Sequence, residues 1–178
     1  MTDSMRLKNP LPAARALAAG SAVILRHYDD KDRAGLARAL IALCRPRHIA
    51  VLVAGDARLA LATNADGLHL PEAMLARRHQ KLRPSMLLSV AAHCPRALAR
   101  AAKADADFAL LSPVFASKSH PGGSAIGVLR FAAWASRTPL PVYALGGIND
   151  QNIRRLGGSG AVGWAAIDGL SKNLDATR

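Results

Sequence analysis

The sequence predicts an α/β protein in which parallel strands form a sheet covered by helices. Short apolar runs alternate along the chain with longer segments of helical periodicity, an order that is typical of βα units. Near the end of the chain, glycines stand at two junctions where a strand gives way to a helix. No low-complexity tract or linker interrupts the alternation, so we expect a single domain over residues 1–178.

Seven short apolar segments have the composition of buried strands. They cover residues 22–26, 49–54, 67–70, 86–91, 108–112, 142–145 and 161–165. Helical spacing is found at 32–44, 57–63, 72–78, 96–103, 128–136 and 151–156, and a first helix is expected at 10–19, with Gly20 as its C-terminal stop. Residues 65–70 resemble residues 106–111, which favours repeated units.

The beginning of the chain leaves two architectures open. A closed (β/α)8 TIM barrel needs eight strands, and the strand before the first helix would have to be Met1-Thr2-Asp3. Three residues are too few to pair across a barrel. Either the sheet is open, or the given chain begins inside the first strand of a barrel.

Two glycine-bearing junctions predict a phosphate or another anion. Gly146 and Gly147 follow the strand at 142–145, and Gly163 lies in the next junction. Glycine lets another group approach the backbone closely, and a helix start offers free N–H groups and a positive dipole end. Consecutive turns of this kind near the end of a (β/α)8 barrel are where such barrels hold phosphate. The simpler alternative is that the glycines only permit tight turns.

Polar residues at the C-terminal ends of predicted strands form the candidate site. In a parallel barrel these ends converge on one face, where an arginine, a carboxylate and three histidines would serve anion binding and acid–base chemistry. The residues are Arg26, Asp56, His69, His93 and His120. The long segment 113–124, which also holds Lys118, is a candidate functional loop.

Each of these residues also has a structural explanation. Arg26 would form a salt bridge at the rim, and Asp56 would cap the next helix. His69 would pack at a strand end, His93 would lie in a loop before a proline, and His120 would be solvated. A transition-metal site from the three histidines and the aspartate is a further alternative, although their spacing matches no short metal motif.

Composition narrows the class of protein. Lys and Arg number 24 against 12 Asp and Glu, which gives a net charge of +12, but the basic residues are scattered over the predicted helices. With aromatic residues at 4% of the chain, none interleaves the densest basic groups, so we expect a solvated basic surface that favours anionic substrates rather than specific nucleic-acid recognition. No apolar run reaches membrane-spanning length, and the N-terminus lacks a signal core. Cys44 and Cys94 are read as reduced thiols of a cytoplasmic protein.

The order of several motifs resembles the thiamine-phosphate synthase and TenI-like family of (β/α)8 barrels, over nearly the whole chain. The most specific pieces are Ala65-Asp66-Gly67-Leu68-His69-Leu70 and Ala144-Leu145-Gly146-Gly147-Ile148. The others are Ile24-Leu25-Arg26, Val53-Ala54-Gly55-Asp56, Ala91-Ala92-His93, Ser112-Pro113-Val114-Phe115-Ala116-Ser117 and Gly160-Ala161-Val162-Gly163. In relatives, a few apolar residues precede a Thr-Asp pair at the end of the first strand. The resemblance therefore implies a barrel whose first strand is truncated and ends at Thr2-Asp3.

The resemblance implies a role in thiamine biosynthesis. The family's synthase couples a thiazole phosphate to a pyrimidine diphosphate and releases diphosphate, which requires Mg²⁺ and cationic groups. Arg26, Asp56 and Lys118 match retained positions, with Asp56 the implied metal ligand and His69, Gly146, Gly147 and Gly163 on the substrate side. Several positions depart from the synthase pattern. Tyr28 stands for a lysine, Met74 for the metal-binding aspartate, Ala91 for a serine, Ser117-Lys118-Ser119-His120 for a T-x-T-K motif and Asp168 for a serine.

These departures leave the reaction open. A divergent synthase is the first hypothesis, with a weak requirement for Mg²⁺. A TenI-like thiazole tautomerase is the second, because proton transfer on a thiazole carboxylate phosphate needs an acid–base group such as His93 or His120 and no diphosphate–metal site. A noncatalytic binder or regulator of phosphate metabolites is the third. In each case the expected partner is a small thiazole phosphate, and a homo-oligomer is left open.

Overall fold

The structure, a computed structural model, describes residues 1–75, 82–116 and 124–167. Seven strands are found in this part of the chain: β1 (Ala22–Leu25), β2 (Ala50–Ala54), β3 (Gly67–Leu70), β4 (Leu87–Ala92), β5 (Phe108–Leu111), β6 (Val142–Leu145) and β7 (Gly163–Ala165). The α-helices are α1 (Leu11–Arg15), α2 (Arg33–Cys44), α3 (Ala57–Ala62), α4 (Pro95–Lys103) and α5 (Gly127–Ala135). Short 3₁₀ turns lie at Arg45–Arg47, Glu72–Met74 and Ile153–Leu156.

The chain divides into two compact units. The first contains Met1–His69 and residues 82–87, and its strands β1, β2 and β3 pair in parallel, with Ala22 opposite Ala50 and Leu52 opposite Gly67. Their apolar side chains are buried because parallel strands are covered on their faces by the crossover helices. Helix α2 buries Ala37, Leu40, Ile41 and Cys44.

The second unit contains residues 70–75 and 88–167 of the described chain. Strands β4 to β7 pair in parallel and in chain order, with Ser89 opposite Phe108, Ala109 opposite Val142 and Tyr143 opposite Gly163. A core cluster of small and aliphatic side chains packs around the fully buried ring of Phe131 from α5. This packing sets the position of the loops that follow β4, β5 and β6.

The seven predicted strands are all present and parallel, and within each unit neighbours in the chain are neighbours in the sheet. That order excludes the reversed strand order of a doubly wound open sheet within either unit. The strand predicted at 161–165 begins only at Gly163. Before β1, no strand is found among the described residues, although the Thr2 N–H donates to the Ile24 carbonyl at 2.9 Å.

Two predicted helices are shorter than expected. The helix at 10–19 is confined to Leu11–Arg15, and the segment at 151–156 forms only the 3₁₀ turn Ile153–Leu156. The helix predicted at 72–78 lies partly outside the described residues, and its described part contains the 3₁₀ turn Glu72–Met74. Segments this short depend on tertiary contacts rather than on helix propensity. In the segment at 151–156, the Asn149 side chain also accepts the N–H groups of Gln151 and Asn152, at 3.0 and 3.2 Å, and this Asx turn competes with the helix.

In the part of the chain that the structure describes, none of the helices has both the length and the apolar character that crossing a membrane would require.

Candidate functional site

Arg26 directly follows β1 and is held by the first residues of the chain. Its Nη2 lies 2.8 Å from Asp3 Oδ2, and its Nε donates to the Thr2 carbonyl at 3.1 Å. Burial of Asp3 tends to raise its pKa, but the hydrogen bond and charge of Arg6, together with the charge of Arg26, outweigh burial and lower the pKa. The Arg26 and Asp3 side chains are 28% and 19% exposed, so this ion pair is partly shielded from water. The observed contacts of Arg26 are therefore those of a structural salt bridge, the alternative that the sequence left open.

Arg33 lies across the carboxyl ends of two strands, and the sequence analysis did not single it out. From the first position of α2, its Nη2 donates to the carbonyls of Leu25 and Ala54, at 3.1 and 2.6 Å. Its guanidinium carbon is 5.0 Å from the centre of the Tyr28 ring, a cation–π contact. Burial lowers the pKa of Arg33, while Tyr28 and Asp56 oppose that shift. The sequence signal that could have identified Arg33 is a basic residue at the start of the helix that follows a predicted strand.

Asp56 lies two residues after the end of β2 and is the N-cap residue of α3. Its Oδ1 accepts the Leu59 N–H at 2.9 Å, which satisfies one of the donors that a helix start leaves free. Its negative charge also acts on the Arg33 guanidinium. The carboxylate therefore has a structural role at this strand end, and Oδ2 has no hydrogen bond among the described residues.

His69 is buried in β3, with 2% of its surface exposed. Burial lowers the pKa of its imidazole to about 3, and the nearby Arg26 charge adds to that shift. Its backbone carbonyl accepts the Gly55 N–H at 2.8 Å, next to the turn that carries Asp56. The imidazole is therefore neutral near pH 7, and the structure brings it close to Arg26, as the sequence predicted for these two residues.

In the second unit, Glu72 is the centre of a polar cluster with His93 and Arg100. His93 follows β4, and its Nδ1 lies 2.7 Å from Glu72 Oε2, which also accepts the His93 backbone N–H at 3.0 Å. The other Glu72 oxygen, Oε1, accepts Arg100 Nη2 at 3.0 Å. The residues lie 21 and 28 positions apart in the chain, so only the fold brings them together.

Gly146 and Gly147 form the turn after β6, with φ values of +98° and +66°. A Cβ atom on Gly146 would lie 2.7 Å from Pro113 Cα, and one on Gly147 would meet the Ala116 carbonyl and lie 2.8 Å from the Phe115 carbonyl. The glycines therefore allow the loop after β5 to pack against this turn. The group that approaches these glycines in the described chain is the protein's own backbone, and the predicted phosphate stays a prediction.

Further polar groups surround the glycine turn. The Asn152 side chain donates to the Gly147 carbonyl at 2.8 Å, and the Arg155 guanidinium lies 5.3 Å from the centre of the Phe115 ring. The backbone N–H groups of Gly147 and Ile148 have no hydrogen-bond acceptor among the described residues. Because only a four-residue 3₁₀ turn follows, the predicted contribution of a helix dipole at this position is wrong.

The prediction for Gly163 is wrong in its placement. Gly163 begins β7 and lies opposite Tyr143, whereas the glycine turn follows the other end of β6, after Leu145. A Cβ atom at Gly163 would lie 2.6 Å from Tyr143 Cε1. Gly163 therefore provides space for the Tyr143 ring and is not part of a strand-to-helix turn.

Three residues of the sequence analysis lie outside the described residues. Lys118 and His120 fall in the segment 117–123, and Asp168 falls in the segment that begins at 168. Their predicted roles in catalysis and at the phosphate therefore stay predictions.

The carboxylates of the described chain do not form a metal site by themselves. Proteins hold Mg²⁺ with one or two carboxylates, waters and substrate phosphates. Asp56 offers a single oxygen, Glu72 has both oxygens in ion pairs, and Met74 carries no oxygen ligand. No group of three or more His, Cys, Asp or Glu side chains able to hold a metal occurs among the described residues.

Comparison with known proteins gives the family. The family model described as thiamine monophosphate synthase matches residues 3–170. The chain belongs to the thiamine monophosphate synthase family. The thiamine-phosphate synthase of Alcanivorax borkumensis is 33% identical over 93% of this chain and 79% of its own length. A candidate thiamine-phosphate synthase of Aquifex aeolicus is 36% identical over 82% of this chain and 80% of its own length. Family membership places the chain among enzymes of thiamine biosynthesis.

A solved structure gives the fold of this synthase-family chain. The thiamine phosphate pyrophosphorylase of Pyrococcus furiosus matches with a TM-score of 0.77 at 22% identity, over 98% of this chain and 93% of its own. The predicted class, a parallel α/β fold of the TIM-barrel type, is confirmed.

Proposed function

We propose that this family member is a thiamine-phosphate synthase, which joins a thiazole phosphate to a pyrimidine diphosphate and releases diphosphate. The observation that carries the proposal is the family match over residues 3–170, together with relatives named as synthases at 33% identity over nearly the whole chain. The substrates are small anions, which agrees with the net charge of +12.

The turn at Gly146-Gly147 is the proposed phosphate site. Its support is the pair of N–H groups on Gly147 and Ile148 that lack acceptors in the described chain, with the guanidinium of Arg155 beside the same loop. Successive backbone N–H groups in turns of positive φ can donate hydrogen bonds to a bound anion. In the first unit, Arg26 and Arg33 supply positive charge at strand ends for anionic substrate groups. Lys118 stays a proposed cationic group of the same reaction.

Mg²⁺ supplies charge neutralisation of the leaving diphosphate in the reaction that the family carries out. The carboxylates of the described chain do not fit a metal site by themselves. We propose Asp56 as the protein ligand with the best access, through Oδ2, and expect the requirement for Mg²⁺ to be weak.

One observation favours a second candidate function, the thiazole tautomerase. His93 is hydrogen-bonded to the Glu72 carboxylate at 2.7 Å, a pairing that suits a histidine which accepts and returns a proton. A tautomerase acts on the thiazole phosphate alone, without a diphosphate. His120 stays a second proposed acid–base residue.

The two functions are tested with one purified protein in three assays. We expect thiamine phosphate and diphosphate to form from the two substrates, measured by chromatography. Proton exchange on the thiazole carboxylate phosphate without thiamine phosphate formation would favour the tautomerase. Calorimetric binding of the thiazole phosphate with neither reaction would contradict both and leave a noncatalytic binder. The Alcanivorax borkumensis relative is the positive control for synthesis.

We place the protein in the cytoplasm, because both Cys44 and Cys94 are free thiols rather than a disulfide. Its proposed partner is the thiazole phosphate, with no specific nucleic acid or membrane partner. Sedimentation tests whether the protein forms a homo-oligomer.

A further inference from the structure

We propose that Glu72 is the positioning residue of His93. Glu72 fixes the imidazole in the form that carries hydrogen on Nδ1, so that Nε2 is the proton acceptor of this site. The inference deepens the second candidate function, the tautomerase, since only that reaction passes a proton through His93.

Geometry is the first support. One Glu72 oxygen accepts both the backbone N–H and the ring Nδ1 of His93, at 3.0 and 2.7 Å, so backbone and ring are fixed by the same atom. The other oxygen is held by Arg100 at 3.0 Å. Because both oxygens of the Glu72 carboxylate accept hydrogen bonds, the carboxylate has little freedom to rotate away from His93. Glu72 is also the only glutamate in the whole chain.

The chemistry of the pair determines which ring nitrogen is free. An ionised carboxylate only accepts hydrogen bonds, so the hydrogen between it and Nδ1 belongs to the imidazole. In a neutral ring, Nε2 then carries the lone pair. Among the described residues Nε2 has no hydrogen-bond partner, and the His93 side chain is 46% exposed against 22% for Glu72. The acceptor nitrogen is therefore on the accessible side of the pair.

The proton transfer balances within the pair and its substrate. His93 Nε2 takes a proton from the bound thiazole phosphate, and the imidazolium that forms faces the Glu72 carboxylate. The same proton then returns to another atom of the substrate, so no oxidant, reductant or second reactant is needed. Arg100 also faces Glu72, and no other charged group among the described residues contacts the pair.

The tautomer is read directly by NMR on the full chain with ¹⁵N-labelled histidine. His93→Gln assigns the His93 signals among the six histidines of the chain. At a pH where the imidazole is neutral, we expect hydrogen on Nδ1 in the wild type and a shift toward the Nε2–H form in Glu72→Ala. The control Asp150→Asn, which removes an exposed carboxylate of the same unit, should leave the tautomer unchanged. An Nε2–H wild type, or an unchanged tautomer in Glu72→Ala, would overturn the proposal.

A conservative variant separates positioning from folding. The carbonyl oxygen of Glu72→Gln still accepts from Nδ1–H, so the tautomer should persist while the counter-charge of the imidazolium is lost. We expect the kcat of proton exchange on the thiazole carboxylate phosphate to fall about tenfold or more in both Glu72 variants, with a much smaller change in KM. Unchanged kcat in a folded Glu72→Ala protein would overturn the catalytic part. A wild type that is inactive in both assays but holds Nδ1–H would instead reject the proposed function, because the tautomer measurement does not depend on turnover.

Discussion

At the scale of single residues, the contacts of each polar side chain decide what it can do. Arg26 meets Asp3, Asp56 meets the first turn of α3, and His93 meets Glu72. Two of these contacts are structural and the third organises a potential proton acceptor. The residue type alone is compatible with either role, because a carboxylate that caps a helix and one that orients a histidine use the same oxygens.

Gly147 is the residue whose replacement should be most damaging at the glycine turn. Gly147→Ala adds a Cβ that meets the Ala116 carbonyl in a backbone with φ +66°, so it combines conformational strain with overlap. Gly158→Ala is a matched control, since φ is +73° there and nothing lies within 4 Å of its Cβ. Both variants should lose about 1 kcal/mol from the positive φ.

Overlap should cost Gly147→Ala a further 1–3 kcal/mol, roughly, in urea unfolding. Calorimetry should also show loss of thiazole phosphate binding in this variant, with binding retained in Gly158→Ala. Equal stability and equal affinity in the two variants would show that the packing of the β5 loop on this turn is unimportant.

His69 predicts an acid sensitivity of the folded state. Burial lowers the pKa of His69 from 6.5 to about 3, so below pH 6.5 the unfolded chain binds a proton that the folded chain does not. The stability that depends on a neutral His69 is fully present above pH 6.5 and is lost as the pH falls toward 3, by an amount on the order of 5 kcal/mol. His69→Gln should flatten the dependence of urea midpoint on pH in this window. His48→Asn, at an exposed histidine, should keep the wild-type slope.

At the scale of elements, helix starts carry much of the local order near the strand ends. Asp32 caps α2 through the Gly35 N–H at 2.9 Å, and Asp56 caps α3 through the Leu59 N–H at 2.9 Å. The two aspartates therefore have equivalent structural roles on neighbouring βα units. Asp56 lies two residues after β2, whereas Asp32 lies seven residues after β1. Comparing variants of the two aspartates therefore separates the loss of a helix cap from the loss of a metal ligand at the strand end.

Asp32→Ala and Asp56→Ala should each lower the free energy of unfolding by about 1 kcal/mol through the lost cap. Calorimetry with Mg²⁺ and diphosphate should show weak binding in the wild type, because Met74 stands at the family's aspartate position. We expect Asp56→Ser, which retains a capping hydroxyl, to weaken that binding further and Asp32→Ala to leave it unchanged. Tight wild-type binding that survives in Asp56→Ser would rule out Asp56 as the ligand.

At the scale of the whole molecule, charge is the dominant property. The excess of basic residues gives a net charge of +12, and these residues are scattered along the sequence rather than interleaved with aromatic residues. Such a distribution attracts anions by long-range electrostatics without reading bases.

Nucleic acid should therefore bind weakly and only at low salt. We expect fluorescence anisotropy with unrelated duplexes to show equal affinities at about 50 mM salt and a loss of several powers of ten by about 200 mM. Thiazole phosphate binding, which depends on a few local groups, should decline far less over the same range. Sequence-dependent binding that resists salt would reveal a nucleic-acid function.

Much of the fold could be predicted from the sequence because strand composition and turn residues are local properties. The strands β3 and β6 were predicted to the residue, and the parallel order followed from their alternation with helices. The 3₁₀ turn Ile153–Leu156 was missed because the Asn149 side chain competes with the helix there, an effect that periodicity does not report. Gly163 was misplaced because a strand of three residues gives little signal of where it starts.

The sequence by itself determined the strand–helix order, the family and the identity of the glycine turn after β6, since all three are written in contiguous residues. Only the tertiary structure decided the contacts of the polar groups. Glu72 is distant in the chain from His93 and Arg100. Their contacts exist because the end of β4 and the helix α4 bring His93 and Arg100 within 3.0 Å of the Glu72 carboxylate. Likewise, the burial that keeps His69 neutral is a property of packing around β3, which no single segment of the sequence contains.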